Sequence, residues 1–477
     1  MKRTIVAAAA LSAAACSFAP KYERPEAGVP KEGFRFAKPG EATSVADLPW
    51  WEVFKDPKLQ GLIREALAAN QDLALAAARV DEARAFLGIS KADFYPFISG
   101  NVAGSYGQIY SDKVVGGSKS QALLSASVGA SWELDLWGRV RNSRDASYAD
   151  LLATEDGRQA VVLSLVSGVA QGYLELRALD LQLDIVKANV ETRRGTLDLF
   201  EKRAKGGVAS DLEVNQARSD LAFAEAFIPQ TEMQIWMKEN EVCVLLGRGP
   251  GPIERGATLT ETPLIPELPS GVPAALLARR PDLLAAEQGI VAAGARVGVA
   301  VANRIPTLTL TGYVGLEARN VPDMFTPGAV FWNALAGLFV PIFEGNRLSS
   351  LEEVSRARLD QSMAAYKKAV EVALREVADA SAGVTKLKDV RAYRETQVTA
   401  TTQATKLAFL RYQGGVSSYL EVLDAQRQQF DSQLNLATTV RDQVVSVVQL
   451  YRALGGGWQQ QEPSAAQAPP PAPAPKG

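Results

Sequence analysis

Apolar residues recur at every seventh position along two long stretches of the chain. In the first, Val162, Val169, Leu176, Leu183, Val190 and Leu197 make the series, with Leu165, Leu179, Val186 and Phe200 falling three places after members of it. A heptad with a second apolar position offset by three is a coiled-coil seam. No proline interrupts from about Arg144 to Lys205, so the pattern predicts one helix of about 60 residues, roughly 90 Å long at 1.5 Å per residue. Val214, Leu221, Ile228, Ile235 and Val242 carry a returning helix, in which Pro229 must bend the axis or remove a hydrogen bond. Further on, Leu359, Tyr366, Ala373, Ala380 and Leu387 form a second outgoing seam, and Leu423, Phe430, Ala437, Val444 and Tyr451 a second return. Gly206-Gly207 and Gly414-Gly415 are then the hairpin tips, and Ser210 and Ser418 are placed to cap the helices that follow.

Ahead of each hairpin the period changes from seven to two. From Ala122 to Leu134 the even positions are apolar, while the odd ones from Ser125 onward are Ser, Ser, Gly, Ser and Glu. Leu308, Leu310, Val314 and Leu316 alternate with Thr307, Thr309 and Thr311 in the same way. These are half-wet strands. The pattern predicts strands at about 97–110, 122–137, 307–317 and 330–343. The last region sits in a run of sixteen uncharged residues from Gly328 to Phe343. It is read as a strand rather than a membrane helix, because Asn333 and Pro341 interrupt it and it is short for a span.

The chain is written twice. Arg203-Ala-Lys-Gly-Gly-Val-Ala-Ser-Asp-Leu-Glu-Val returns as Arg411-Tyr-Gln-Gly-Gly-Val-Ser-Ser-Tyr-Leu-Glu-Val, and Leu246-Gly247 returns as Leu454-Gly455. Such self-similarity marks structural repeats. Repeat 1 is placed at 61–248 and repeat 2 at 274–457, each reading as helix, two strands and a long helical hairpin, with a Gly- and Pro-rich loop at 249–273 between them. Residues 458–477, which from Glu462 on are almost entirely Pro, Ala, Ser and Gln, predict a flexible tail that cannot bury a core.

At the other end, Met1-Lys2-Arg3 precedes a short apolar run, which predicts an export signal over 1–15. The run closes on Ala13-Ala14-Ala15-Cys16, similar to a bacterial lipoprotein processing site in which the cysteine is lipidated after cleavage. Cys16 is therefore the expected lipid anchor, at the head of an N-terminal segment spanning 16–60. Ordinary cleavage after Ala15 with a free thiol is the alternative.

Composition narrows the chemistry. Lysine and arginine number 51 against 53 acidic residues, giving a net charge of -2 and no basic surplus for nucleic acid. Histidine is absent and there are two cysteines, which argues against catalytic triads, zinc sites and haem sites. No Gly-x-Ser-x-Gly or Ser-x-x-Lys motif offers a nucleophile, so no enzymatic activity, metal or cofactor is expected beyond the covalent lipid. Strands with one apolar and one polar face suit an outer-membrane barrel, yet four cannot close one and an open edge in lipid strands backbone groups. Other copies must complete it: two, three or four copies give eight, twelve or sixteen strands.

The internal repeat, the run from Gly415 to Arg427, the segment Glu133-Leu-Asp-Leu-Trp-Gly-Arg139, and Cys16 followed by Pro20-Lys-Tyr-Glu-Arg-Pro25 together resemble the outer membrane factor family. These are the TolC-like exit ducts, and the NodT and OprM lipoprotein branch is the most similar. The resemblance implies an α+β membrane protein: a homotrimer whose twelve strands form one outer-membrane barrel, continuous with a long periplasmic helical barrel. It implies a passive conduit in the bacterial outer membrane that works with a periplasmic adaptor and an inner-membrane transporter of the resistance-nodulation-division type. Adaptor contact is then expected at the turns Gly206-Gly207-Val208 and Gly414-Gly415-Val416.

By the same resemblance, Leu420, Glu421 and Asp424 match positions that narrow the periplasmic entrance, and Tyr412 matches a tyrosine that helps latch the closed tip. Three copies of Glu421 and Asp424 around one axis would attract cations. A solvated helix face, favoured by the helix dipole, is the plain alternative for these acids. Two other functions stay open at this level: the exit duct of a type I protein secretion system, and a periplasm-spanning structural coiled-coil lipoprotein without a pore.

Overall fold

The computed structural model describes residues 17–26, 28, 49, 53–109, 119–256, 258–259 and 276–456. The expected signal peptide, Cys16, the later part of the 249–273 loop and the 458–477 tail lie outside the described residues. The chain divides into two compact units. One is built from Ala78–Asp156 and Ala285–Lys368 with the segment ahead of Ala27; the other comprises Gly157–Leu284, the stretch up to Ala77, and everything from Ala369.

The first unit holds the sheet. Strands β1 (Phe97–Ile109), β2 (Lys119–Leu134), β3 (Thr307–Ala318) and β4 (Val330–Phe339) pair antiparallel in that order. Directly opposite residues share a face. Gly100, Val128, Val314 and Trp332 form one row across the sheet, and Val102, Ala126, Leu316 and Val330 the next, so one face is apolar on all four strands. The rows between them, such as Asn101, Ser127, Gly315 and Phe331, or Ser99, Gly129, Tyr313 and Asn333, are far more polar. Among the described residues the outer edges of β1 and β4 have no strand partner.

Local chemistry moves several expected boundaries. β2 stops at Leu134 instead of 137, because Asp135 turns its carboxylate onto the N–H groups of Val140 and Arg141, each at 3.0 Å, and so caps a helix. Helix α3 (Arg139–Lys205), the third long helix in chain order, consequently starts ahead of Arg144. Gly138 takes φ 76° at this corner, Arg139 grips Glu133 at 2.7 and 2.8 Å, and the Trp137 indole donates to the Pro306 carbonyl at 2.6 Å. The Glu133–Arg139 motif is thus a strand-to-helix corner. β4 ends at Phe339, short of 343, because Pro341 has no N–H to give a ladder.

Helix α6 (Pro281–Ala302) is by length and composition apolar enough to cross a membrane. Its small residues are instead packed: Ala292, Ala293, Ala295, Val297 and Ala302 are buried. An N-terminal strap lies over it. A Cβ on Gly298 would stand 2.9 Å from the Ala19 nitrogen, the Tyr22 hydroxyl donates to Glu287 at 2.6 Å, and Arg24 holds the same carboxylate through Nε and Nη2 at 3.0 and 2.8 Å. Ser17, one residue after the expected anchor, donates to the Asn142 side-chain oxygen at 2.9 Å.

The second unit is helical. Asp56 accepts from the N–H groups of Lys58 and Leu59 and Pro57 opens helix α1 (Pro57–Ala69), so the expected boundary at 60/61 falls inside a helix. Asn70 ends α1 and accepts from Leu73 N–H at 3.0 Å, starting α2 (Gln71–Ala92). The remaining helices are α4 (Asp211–Leu245), the short α5 (Leu276–Arg279), α7 (Arg347–Gln413) and α8 (Tyr419–Ala453). α4 runs through Pro229 without a break.

The longer helices of the two halves match in length: α3 and α7 have 67 residues each, α4 and α8 35 each, α2 and α6 22 each. They also match in bonding. The Asn70 amide donates to the carbonyl of Leu245 at the end of α4, and Arg280 donates to that of Ala453 at the end of α8. The seam residues Val169, Leu176, Val242, Ala373, Ala380, Val444 and Tyr451 are buried. Close approach is enforced by small residues, since a Cβ on Gly172 would lie 2.9 Å from Val242.

Candidate functional site

Both long hairpins turn on a glycine in the left-handed region, where a side chain would be strained. Gly207 and Gly415 each have φ 70°, and the 6→1 bonds Val208 N–H to Arg203 O (2.9 Å) and Val416 N–H to Arg411 O (3.0 Å) close the preceding helices. Gly206 and Gly414 bond back to Lys202 and Leu410, so all four glycines serve helix termination. Val208 and Val416 stand out at 80% and 71% exposure, the apolar points of the two tips.

The returning helices start differently. Ser210 and Glu213 form a reciprocal capping box, Ser210 Oγ accepting from Glu213 N–H and the Glu213 carboxylate accepting from Ser210 N–H at 2.8 Å. Ser418 occupies the cap position but its side chain makes no capping bond, contrary to the expectation from sequence. The corresponding acid, Glu421, faces Arg411 at 3.3 Å instead.

Behind the tips lies an aromatic cluster. Phe200 and Tyr419 meet at 4.5 Å between ring centroids, and Tyr412 packs against them at 5.7 and 5.5 Å. The Tyr412 hydroxyl donates to Glu213 Oε1 at 2.8 Å. Burial, then the Glu213 hydrogen bond, pushes the Tyr412 phenol up to about 12. The Ser210 N–H and then the Tyr412 hydroxyl hold the Glu213 carboxyl below its ordinary value.

Of the residues expected to narrow an entrance, Leu420, Glu421 and Asp424 share one exposed face of α8, while Tyr419, Val422 and Gln426 turn inward. Tyr412 does not join that face; its partner is Glu213 of the other hairpin. Each acid already has a cation in its own chain, Glu421 with Arg411 and Asp424 with Arg427 at 2.8 Å, and Asp424 also accepts from Gln428 at 2.6 Å. Sequence reasoning matched Leu212 and Glu213 of the first repeat to Leu420 and Glu421, but passed over these arginines and the bond between Glu213 and Tyr412. The Ser-x-x-Glu spacing at 210–213 was the available signal for the Glu213 capping box.

Among the described residues no cluster of Cys, Asp or Glu could hold a metal ion. The arrangement offers two glycine-closed tips tied by the part-buried Tyr412–Glu213 hydrogen bond, a charged face beside them, and, in the other unit, a four-stranded sheet with one apolar face.

The sequence matches the family described as outer membrane efflux protein twice, over 62–248 and over 272–456. It is similar to the cation efflux system protein CusC of Escherichia coli O6:H1 (strain CFT073), 32% identical over 455 residues, covering 94% of this chain and 98% of CusC. It is similar too to the solvent efflux pump outer membrane protein SrpC of Pseudomonas putida, 34% identical over 451 residues and covering 93% and 96% of the two chains. Among solved structures, the outer-membrane channel OprN superposes with a TM-score of 0.87 at 28% identity, covering 93% of this chain and all of OprN.

Proposed function

The chain belongs to the outer membrane efflux protein family, and from that premise we propose that three copies build one continuous duct across the outer membrane and into the periplasm. It is the outer membrane channel of an efflux system, a transport protein rather than a catalyst. Each chain contributes four strands, so a trimer has a twelve-stranded barrel, with β4 of one copy pairing with β1 of the next. The duplicated long hairpins of three copies, twelve helical segments, line the periplasmic tunnel.

The observation that carries this reading is the open sheet. Its apolar face spans all four strands, while both edges lack partners among the described residues. In a bilayer an unpaired edge leaves each N–H and C=O without water, at a cost of several kcal/mol per group. Closure by further copies removes that cost, and the polar face then lines a wet lumen.

A lipid on Cys16 tethers the strap to the membrane, with Ser17 bonded beside the start of α3. The tips Gly206-Gly207-Val208 and Gly414-Gly415-Val416 meet a periplasmic adaptor, which couples the duct to an inner-membrane transporter of the resistance-nodulation-division type. Leu420, Glu421 and Asp424 ring the entrance, and Tyr412 holds it shut through Glu213. Native mass spectrometry of detergent-solubilised protein, with conductance in planar bilayers, tests the proposal. A trimer that passes ions is expected; a monomer with no conductance would overturn it.

A further inference from the structure

A strand set between lipid and a wet lumen alternates apolar and polar residues, and β2 and β3 do so. β4 does not. Val330, Trp332 and Leu338 stand on the apolar side of the sheet, yet Phe331, Leu335 and Phe339 stand on the other, elsewhere polar side. A strand that is apolar on both faces reads as one that is covered on both. Tyr313 of β3 joins the second group, its ring centroid 5.6 Å from that of Phe331 at an interplanar angle of 60°. Tyr313, Leu335 and Phe339 are nonetheless exposed, at 45%, 60% and 64%.

Strand pairing accounts for only part of this stripe. Phe331 lies opposite Gly315, and a ring laid over a cross-strand glycine steadies a sheet. Leu335 and Phe339 lie opposite Thr311 and Thr307, so they have no glycine to cover. Charge then narrows the occupant. The row from Phe97 to Leu335, the row from Ser99 to Asn333 and the row from Asn101 to Phe331 hold no charged residue. One row beyond them at one end is Glu317, and at the other is Glu133, which Arg139 already grips. An anion gains nothing on such a surface, whereas an uncharged or cationic aromatic group gains from the Phe and Tyr rings.

We propose that Tyr313, Phe331, Leu335 and Phe339 form a lumenal binding stripe for aromatic solutes, uncharged or singly cationic, on their way through the channel. The inference rests on the duct reading, which turns this face of the sheet toward the lumen and, by pairing β4 with β1 of the next copy, sets one stripe beside each seam. Residues four apart on a strand are about 13 Å apart, so a solute passes from one apolar contact to the next instead of settling in a deep site. Each contact is weak, which suits a conduit that must release what it holds.

The test is the ionic current of the full-length protein in planar bilayers, with benzyltrimethylammonium or tetramethylammonium added to both chambers at constant ionic strength. The two cations share a head group and differ by the ring. Benzyltrimethylammonium is expected to halve the current at a concentration about fivefold or more below that needed for tetramethylammonium. Phe331→Ser should remove most of that difference and Phe331→Tyr, which keeps a ring, should retain it. Should Phe331→Ser not assemble, by native gel, Leu335→Ser takes its place. Equal potency of the two cations in a conducting channel would overturn the stripe alone, as would a difference that survives in the serine variants, since that would report the size of the probe. A protein that conducts nothing would overturn the duct reading and the stripe with it.

Discussion

The hydroxyl of Tyr412, in the last turn of α7, donates to Oε1 of Glu213, in the first turn of α4, across 2.8 Å and 199 residues of chain. It is a tie between the first hairpin tip and the second. Tyr412→Phe removes the hydroxyl and leaves the packing against Phe200 and Tyr419 in place. A hydrogen bond to a partly exposed carboxylate contributes about 1 kcal/mol, a factor of roughly 5 in an equilibrium between tied and untied tips. Purified Tyr412→Phe should accordingly spend more time in conducting states in planar bilayers. Records indistinguishable from the unmodified protein would count against a latch.

The same tie has a defined pH window. The Glu213 carboxyl is held below its ordinary value, so its contribution is present above that ordinary value and is lost as pH falls through the lowered one. Tyr412 is raised from 10.0 to about 12, so its contribution is complete below 10 and disappears as pH rises through 12. Between about pH 5 and 9 neither group changes charge, and the conductance difference between the unmodified protein and Tyr412→Phe should be flat there. A slope within that window would point to a different titrating group at the tips.

Asp156 behaves in the opposite sense. Burial first, and then the charge of neighbouring Glu155, pushes its carboxyl from 3.8 to about 6. The folded chain therefore binds a proton more readily than the unfolded one, and stability falls as pH rises from about 4 to 6 and levels off above. Asp156→Asn removes that dependence. Its unfolding midpoint should exceed that of the unmodified protein at pH 7.5, and the two should converge as pH drops toward 4.5.

The sequence made the large periodicities readable because they are local. Heptads at Val162 to Leu197 report which side of a helix is buried, alternation at Leu124 to Leu134 reports which side of a strand is apolar, and Gly207 and Gly415 mark the tips since few other residues take a positive φ. Corners were harder. Asp135 reads as the next polar position of β2 until its carboxylate is seen on the N–H groups of Val140 and Arg141. Ser210 and Ser418 have the same local sequence setting, yet only Ser210 caps, because Glu421 is drawn to Arg411. Pairings such as Tyr412 with Glu213, or Arg193 with Asp220 and Phe430, join separate helices, and no periodicity within one helix encodes them.

The matched glycines at the ends of α4 and α8 should respond unequally to alanine. Gly247 and Gly455 have nearly the same φ, 71° and 72°, so backbone strain costs both about 1 kcal/mol. A Cβ on Gly247, however, would sit 2.6 Å from the Ala69 carbonyl carbon, which is backbone and cannot step aside. On Gly455 the nearest atoms are 3.1 to 3.2 Å away and include the Arg280 side chain. Gly247→Ala should destabilise by about 3 kcal/mol or more and Gly455→Ala by about 1 to 2, read from denaturant midpoints. Equal losses would mean that α1 and α4 can separate more freely than their packing suggests.

The two faces of the sheet should tolerate charge very differently at a single depth. Val128 lies on β2 between Gly100 and Val314, in the row that ends at Trp332, and is 53% exposed on the apolar face. Ser127, its neighbour in sequence, points to the opposite face between Asn101 and Gly315. If the apolar face meets lipid, arginine at 128 costs about 2 to 4 kcal/mol near the midplane, whereas arginine at 127 remains in the wet lumen and costs little. The expected outcome is a sharp fall in membrane-assembled trimer for Val128→Arg and near-normal yield for Ser127→Arg, measured on outer-membrane fractions by native gel. Because the two positions share depth and strand, a difference in yield isolates the face. The reverse ranking would turn the barrel inside out.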